Sequence, residues 1–459
     1  MAPAPRAATP GVVRERRFAD GSLHGHAPAT KGRAALAVLA PYHAEMTCMC
    51  RRMLFGLCLL LVVTLPLQAA TFYVATSGSG GCSTDRNAPS GSIAASLGCL
   101  SPGDTLFFRA GTYEVGSSLN AAPGGDSPTH RVTIAGDPQD GSLAVRLHAN
   151  DAGDNGITLS NSSFMVWDNV IIDCAGNGHA CFKITDNAHH IRVSNSEIRN
   201  GHDSGILANA GQLGTPGNNE FLHVQVHDNG TDPALDHGLY LASNDNVVDG
   251  CDIHDNATFG VHVFCGGCSG ASARNIVRNN TIHHNGGPVM VLGTSDSNMA
   301  YNNLAYNNSA GIQIRNGGSN NQVYNNSIFG NAGGDSGGSC ILNLNDNSIM
   351  RNNICFQNQT DSINGDCGAT GCGAQADHNL FGDPLFVDAN AGDFRLSPGS
   401  PAIGASVDLS SIFTTDFNGA TRPAGAWDLG ALQSGSGDPP PPPPPTSSLP
   451  APIHVRVGP

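Results

Sequence analysis

Positive charge is scarce in this chain. Lysine and arginine together number 22 against 37 aspartates and glutamates, a formal net charge of −15. A nucleic-acid binder needs a basic face to neutralise phosphates, so nucleic acid is not an expected partner. Acidity of this kind serves solubility and permits cationic partners or metal ions. Helical periodicity is missing too. No part of the repeating region holds the roughly 10–12 residues of helical pattern that a leucine-rich or βαβ unit needs. The strongly apolar run 54–67 is 14 residues long, short of the roughly 20 that cross a bilayer. Cys265-Gly-Gly-Cys268 has no second CxxC to complete a zinc ligand set, so a disulfide or free thiols is expected there rather than metal.

What the chain does have is one short pattern, repeated from about Gly156 to Asn358. The passages GLYLASNDNVVDGCDIHDN (238–256), VMVLGTSDSNMAYNNLAYNN (289–308) and GIQIRNGGSNNQVYNNSIFGN (311–331) share it. A short alternating strand, often led by glycine, is followed by a polar turn, a second alternating strand and an asparagine. FKITDNAHHIRVSNSEIRNG (182–201) and the stretch ending IMRNNICFQN (349–358) are further copies. The strand-closing residues Ile184, Val291 and Ile314 are each followed 14 positions later by Ile198, Ala305 and Ile328. Period-two alternation marks half-buried strands, and a repeat of roughly 20–30 residues marks a solenoid whose turns must stack to bury their apolar faces. The expected unit is one coil of a parallel β-helix.

Two asparagine columns support that alignment. Gly201, Asn229, Asn256, Asn285, Asn308, Asn331 and Asn358 fall together, as do Asn280, Asn303, Asn326 and Asn353. Asparagine tolerates the left-handed conformation of a sharp turn. Amides stacked about 4.8 Å apart can bond to each other and to buried turn backbone. The triplets Asn279-Asn280-Thr281 and Asn307-Asn308-Ser309 are read as part of this ladder rather than as glycosylation sites.

Glycine-led strands and asparagine-ended turns resemble the right-handed parallel β-helix superfamily, the pectate-lyase-like fold, with repeats of the NosD type found in secreted bacterial proteins. The resemblance covers about 72–435. It implies an all-β, single-stranded right-handed parallel β-helix solenoid with an N-terminal cap and a C-terminal closing block. The expected divisions are an N-terminal cap and opening block over 71–130, coils over 131–375, and a closing block over 376–434 that covers the last coil. Coils are expected to begin irregularly near Val132–Ile134 and Ala144–Leu147 and to become regular by Ile157, and 92–100 reads as a short capping helix. Residues 435–459 form a linker with seven consecutive prolines (439–445) and a short tail, a stiff polyproline spacer.

The N-terminal part reads differently. Residues 1–48 are rich in Ala, Pro and Arg, without periodicity, and are expected to be a mis-assigned or disordered extension. Arg51-Arg52, the apolar run and Gln68-Ala69-Ala70 make 49–70 a secretory signal peptide. Export places the protein outside the cell, in the periplasm or at the cell surface, with no membrane span after signal removal. There the cysteines read as disulfides, 82–99, 174–181, 265–268, 340–355 and 367–372, with Cys251 left over as a small buried filler.

On a β-helix the chemistry lies on outward columns. The outward column of the glycine-led strand reads Lys183, Leu207, Tyr240, His262, Met290, Gln313, and Asp203, Asp236 and His237 lie just before it. These titratable groups fall on three adjacent coils, within about 10 Å by strand spacing. Most turns between the two strands use six residues (185–190, 292–297, 315–320), whereas the coil of Asp236-His237 uses four (242–245) between neighbours of ten (209–218) and eleven (264–274). A short turn between long ones makes a notch.

The chemistry expected there is that of a uronate polysaccharide lyase or C5-epimerase. His237 serves as base and Tyr240 as proton donor, and either His262 or a calcium ion held by Asp203 and Asp236 neutralises the carboxylate. A hydrolase would use the two aspartates as acid and base instead. Lys183 is the one lysine on the solenoid and the sole candidate for the basic residue of pectate lyases, whose aspartate motif has no match here. A second column, His227, His254 and His283, is read as solvent-exposed turn residues rather than a transition-metal site. The alternative to an enzyme is a non-catalytic solenoid that binds glycans or builds a surface layer; in either case a monomer is expected.

Overall fold

The computed structural model describes residues 69–149, 155–175, 179–210, 216–266, 272–293, 296–333 and 338–435. The expected signal peptide, N-terminal extension, polyproline linker and Cys268 lie outside these residues, except that 69–70 and Gly435 are described. Within the described residues no helix is long and apolar enough to cross a membrane.

Strands of three to six residues repeat in threes and build three parallel sheets, of 12, 10 and 9 strands. The coil around residue 250 shows the unit. Leu239–Ala242 belongs to the 9-stranded (third) sheet, Val247–Asp249 to the 12-stranded (first) and Asp252–His254 to the 10-stranded (second). The next coil pairs with it in register, Leu239↔Val261, Val248↔Val277 and Ile253↔Ile282. The alternating pattern now has its cause: Val248 and Ile253 are fully buried, and their neighbours point out. Column-like stacking gives a narrow core running from Val74 to Ala374. The chain is an all-β, right-handed parallel β-helix, as the repeat implied.

The corners explain the asparagines, with one correction. The ladder asparagines do not adopt the left-handed conformation. The residue before each does: Asp228 (φ 54°), Asp255 (φ 51°), His284 (φ 54°) and Asn307 (φ 55°). The left-handed residue bends the backbone outward and aims the next side chain into the coil. There the Nδ2 of Asn229 donates to the Oδ1 of Asn256 (2.9 Å), Asn256 to Asn285 (2.9 Å), and Asn285 to Asn308 (2.9 Å). The column through Asn280, Asn303, Asn326 and Asn353 does the same, and Cys251 heads it, buried, its N–H donating to the Oδ1 of Asn280. A third ladder, Asn219, Asn246, Asn275, Asn298 and Asn321, lines the remaining corner. In the sequon-like triplets the first asparagine, Asn279 or Asn307, is the left-handed residue, outside the inner ladder. Glycine leads the third-sheet strands because the chain passes close to the ladder: a Cβ on Gly238 would lie 2.7 Å from the Gly260 carbonyl oxygen and 2.9 Å from the Asn256 amide.

Register brings a second correction. Val291, not Met290, pairs with His262 and Gln313, and Leu292, not Val291, pairs with Ile314. Met290 is therefore an inward core residue, fully buried. The turn that follows is one residue shorter than the ungapped alignment supposed, and a one-residue slip exchanges the two faces of a strand.

At the N-terminal end, Thr71–Val74 and Thr105–Phe108 already belong to the first sheet, so stacking starts before Val132. Helix Ile93–Leu97, with Ser92 accepting the Ala95 N–H as its N-cap, adds Leu97 to the core. The closing block starts on the last coil, as expected, with Ala376 paired to Met350 and Leu380 bridged to Ile354, but it does not stop there. It runs back along the corner between the first and second sheets. Phe413 and Trp427 cluster with Tyr301 and Tyr324, and Phe394 and Leu432 with Leu304 and Phe329. Arg422, buried, donates to the Oδ1 of Asn302 (2.9 Å) and to the carbonyls of Gly430 and Ala431. Disulfides join Cys82–Cys99, Cys174–Cys181, Cys340–Cys355 and Cys367–Cys372. Such a set persists in oxidising compartments.

Candidate functional site on the outer face of the third sheet

Parallel pairing sets the outward column Lys183, Leu207, Tyr240, His262, Val291 and Gln313. One step earlier, the backbone N–H of Gly205 reaches His237 O, and that of Gly238 reaches Phe259 O. Ser204, His237 and Phe259 thus form a neighbouring column. Stacking at strand spacing turns these two columns into ring ladders. The His237 and Phe259 rings are parallel at 4.7 Å. Tyr240 stacks on His262 at 5.0 Å, and His262 on Phe264 at 4.9 Å. The ladders meet edge to face, His237 on His262 at 4.5 Å and on Tyr240 at 5.3 Å.

The two imidazoles lie at the bottom of this cluster. His262 Nδ1 is 2.9 Å from His237 Nε2, and the remaining nitrogens, His237 Nδ1 and His262 Nε2, are buried without a partner among the described residues. Burial, with a smaller push from Arg315, lowers His237 to about 3. Burial, then His237 and Arg315, drives His262 well below the usual imidazole value. Both rings are buried and neutral at physiological pH, which does not fit the carboxylate-neutralising cation expected of His262 and leaves His237 without the solvent access a base needs.

A cation does sit here, on Arg315, which closes the strand Ala310–Arg315 where the repeat spacing predicts the start of a turn. Its guanidinium lies 5.6 Å over the Phe259 ring, completing the row His237–Phe259–Arg315. It makes no ion pair, and its Nε is buried without a hydrogen bond among the described residues. Burial lowers its pKa. Most other arginines among the described residues are matched by carboxylates, as in Arg199 with Asp173 and Glu197, Arg192 with Glu220, and Arg278 with Asp249, and buried Arg422 is matched instead by Asn302 and backbone carbonyls. The available sequence signal was an arginine on a third-sheet strand with no acidic residue in the adjoining register.

The expected calcium pair takes another form. Asp203 and Asp236 do occupy neighbouring coils, since the N–H of Thr258 reaches Asp236 O in the same column where the Asp203 N–H reaches His179 O. Their side chains are engaged elsewhere. Asp203 contacts His179 (2.9 Å) and His202 (2.7 Å). Asp236, buried, accepts the N–H groups of Thr231 and Asp232 (2.8 and 2.6 Å). Burial first, and the charge of Asp203 after it, raises its pKa. No third carboxylate joins them among the described residues, so they do not form the many-oxygen cage that calcium takes. Lys183 stands in the outward column, separated from Tyr240 by Leu207, with no ion pair among the described residues. The long loops expected to wall the notch lie partly outside the described residues.

The second histidine column is more ordered than turn residues would be. His227, His254 and His283 sit on strands of the second sheet with their rings parallel at 4.8 and 4.9 Å, and Tyr306 continues the stack at 4.9 Å. His227 is buried and bonds to Glu197 (3.2 Å) and Asp228 (2.8 Å). These partners raise its pKa against the opposing effect of burial, which is the largest single influence. Among the described residues the one metal-like cluster of three side chains is Asp346, Cys367 and Cys372, and its two sulfurs are joined in a disulfide.

With this geometry in view the relatives can be placed. Residues 214–381 match the family of the right-handed β-helix region. The solved structure of pectate lyase Pel9A is similar over 80% of this chain and 96% of its own, at 17% identity and a TM-score of 0.54. A rhamnogalacturonan lyase covers 80% of this chain and 96% of its own at 13% identity and a TM-score of 0.46. An alginate lyase from Paenibacillus covers 64% and 92% at 13% identity and a TM-score of 0.39. No curated protein matches the chain. The protein is a right-handed parallel β-helix of pectate-lyase-like fold; these likenesses speak to fold.

Proposed function

We propose that this protein works outside the cell as a monomer on an acidic polysaccharide, held on the outer face of the third sheet. The observation that carries the reading is Arg315: a part-buried guanidinium on an aromatic ladder, with no carboxylate partner among the described residues. Leaving a desolvated cation unpaired is costly, and a uronate carboxylate supplies the missing partner in bidentate form. The half-buried rings of Tyr240, Phe259 and Phe264 around it offer apolar surface to sugar faces. Pectate lyase Pel9A, which shares the fold, acts by its name on a substrate of this class.

If the polysaccharide is cleaved, the reaction is elimination. The C5 proton passes to a base, the C4–O bond breaks, a double bond forms between C4 and C5, and the departing oxygen is protonated. Arg315 takes the charge-neutralising role, Tyr240 at the rim takes the C5 proton as its phenolate and returns it as the phenol to the departing oxygen, and neutral His237 and His262 support its ring from below. Calcium held by Asp203 and Asp236 is not required by this arrangement.

The test is calorimetric titration of the protein with oligogalacturonates and oligoalginates, with and without calcium, alongside ultraviolet detection of unsaturated uronates. Arg315→Ala is expected to weaken binding about tenfold or more, and Arg315→Lys less. Unsaturated product that disappears in Tyr240→Phe supports elimination. Binding that is unchanged in Arg315→Ala overturns the site.

A further inference from the structure

The second sheet carries a separate cavity, made where the closing block turns back along the solenoid. It measures about 610 Å³, within the range of small-ligand sites. Its floor is the outward column Gln225, Asp252, Thr281 and Leu304, set by parallel register, with His283 and Tyr306 beside it. Its roof is formed by Ala391–Gly392 and Phe417–Gly419 of the closing block.

Three features give the cavity a chemical character. First, hydrogen-bonding groups converge on it. Asp252 holds the Nε2 of His283 at 3.1 Å, while Gln225 and Thr281, flanking Asp252 in the same column, make no side-chain hydrogen bond among the described residues. Second, apolar surface is interleaved with them: Leu304, Phe417 and the half-buried Tyr306 ring, which is stacked on His283. Third, no lysine or arginine among the described residues lines it. Its acids are already matched, Asp252 by His283 and Asp249 by Arg278. Alternating hydroxyl-binding and apolar groups without a cation suit an uncharged sugar and reject a uronate, whose carboxylate would face Asp252.

We infer that this cavity between the second sheet and the closing block is a binding site for a short neutral saccharide segment, distinct from the Arg315 site. Gln225, Asp252, Thr281 and His283 bind hydroxyl groups, and Tyr306 and Phe417 contact a ring face. The two sites lie on different sheets of one rigid solenoid, so a heteropolysaccharide, or an acidic chain with neutral branches, meets both chemistries at once.

The experiment is titration of the full chain with neutral gluco-, xylo- and manno-oligosaccharides of α and β linkage. At least one is expected to bind, about five- to tenfold more weakly in Gln225→Ala, which removes one hydrogen-bonding side chain, and not measurably in Thr281→Trp, which fills the cavity. Arg315→Ala is expected to leave this binding unchanged, which separates the site from the acidic one. Thermal melts of each variant exclude unfolding as the cause. Failure of every neutral sugar to bind, or equal binding by Gln225→Ala and Thr281→Trp, overturns the inference. So does loss of neutral-sugar binding in Arg315→Ala alone.

Discussion

His262 Nδ1 lies 2.9 Å from His237 Nε2 beneath a lid of three other aromatic rings. One nitrogen donates and the other accepts, an arrangement open to neutral imidazoles and lost when both are protonated. For each ring the folded-state pKa lies below the ordinary imidazole value of 6.5, and for His237 it falls to about 3. Between those values the unfolded chain binds more protons than the folded one. Their contribution to stability is complete above about pH 6.5 and declines as pH falls toward about 3. The expected slope is up to about 1.4 kcal/mol per pH unit for each ring. Thermal melts of wild type and of a His237→Phe, His262→Phe variant across this window should differ in slope, the variant being flatter. Parallel slopes count against the buried pair.

The asparagine ladder makes a second prediction. Asn303 accepts from Asn280 and donates to the Val277 carbonyl and to Asn326, all buried. Asn303→Ala leaves the Asn280 amide and the Val277 carbonyl without these partners, and a lost buried partner costs about 1–3 kcal/mol. A destabilisation of about 3 kcal/mol or more is expected by chemical denaturation. Exposed Ser411→Ala, outside the ladders and not at a left-handed position, should stay within about 0.5 kcal/mol.

Arg422 tests how the closing block is attached. It is buried against Trp427, its guanidinium 5.2 Å over the indole, and tied to Asn302. Arg422→Ala is expected to loosen the block before the coils melt, seen as faster proteolysis within 382–435 and an early change in tryptophan fluorescence. A single, unchanged cooperative transition would refute this attachment.

The disulfide between Cys340 and Cys355 joins the third sheet to the second across the fully buried core of a late coil. Its closed loop spans 15 residues in sequence, for which the chain-entropy model gives about 3 kcal/mol. A Cys340→Ser, Cys355→Ser variant should lose roughly 2–4 kcal/mol, read from urea unfolding with a slope equal to or steeper than wild type because the denatured chain is released.

The sequence by itself determined the architecture. Period-two strands, a repeat too short for helices and aligned asparagines leave a stacked parallel solenoid as the unit that buries its apolar side chains and satisfies its turns. The pairing of four disulfides, the buried state of Cys251 and the neighbouring coils of His237, Tyr240 and His262 were legible for the same reason, because local spacing in a solenoid is also spatial spacing. The tertiary structure decided what sequence columns cannot carry. A one-residue difference in turn length turned Met290 inward and Val291 outward. The left-handed conformation fell on the residue before each ladder asparagine, because that bend aims the amide inside. Most of all, burial decided the candidate site. Outward position on a strand does not reveal what lies on top of it, and the covering rings and Arg315 keep His237 and His262 neutral while the cation itself has no ion pair among the described residues. The closing block was equally hidden, because its seat along Asn302, Asn325 and Asn352 arises from contacts about a hundred residues apart for the first two and 55 for the third, a separation no local pattern records.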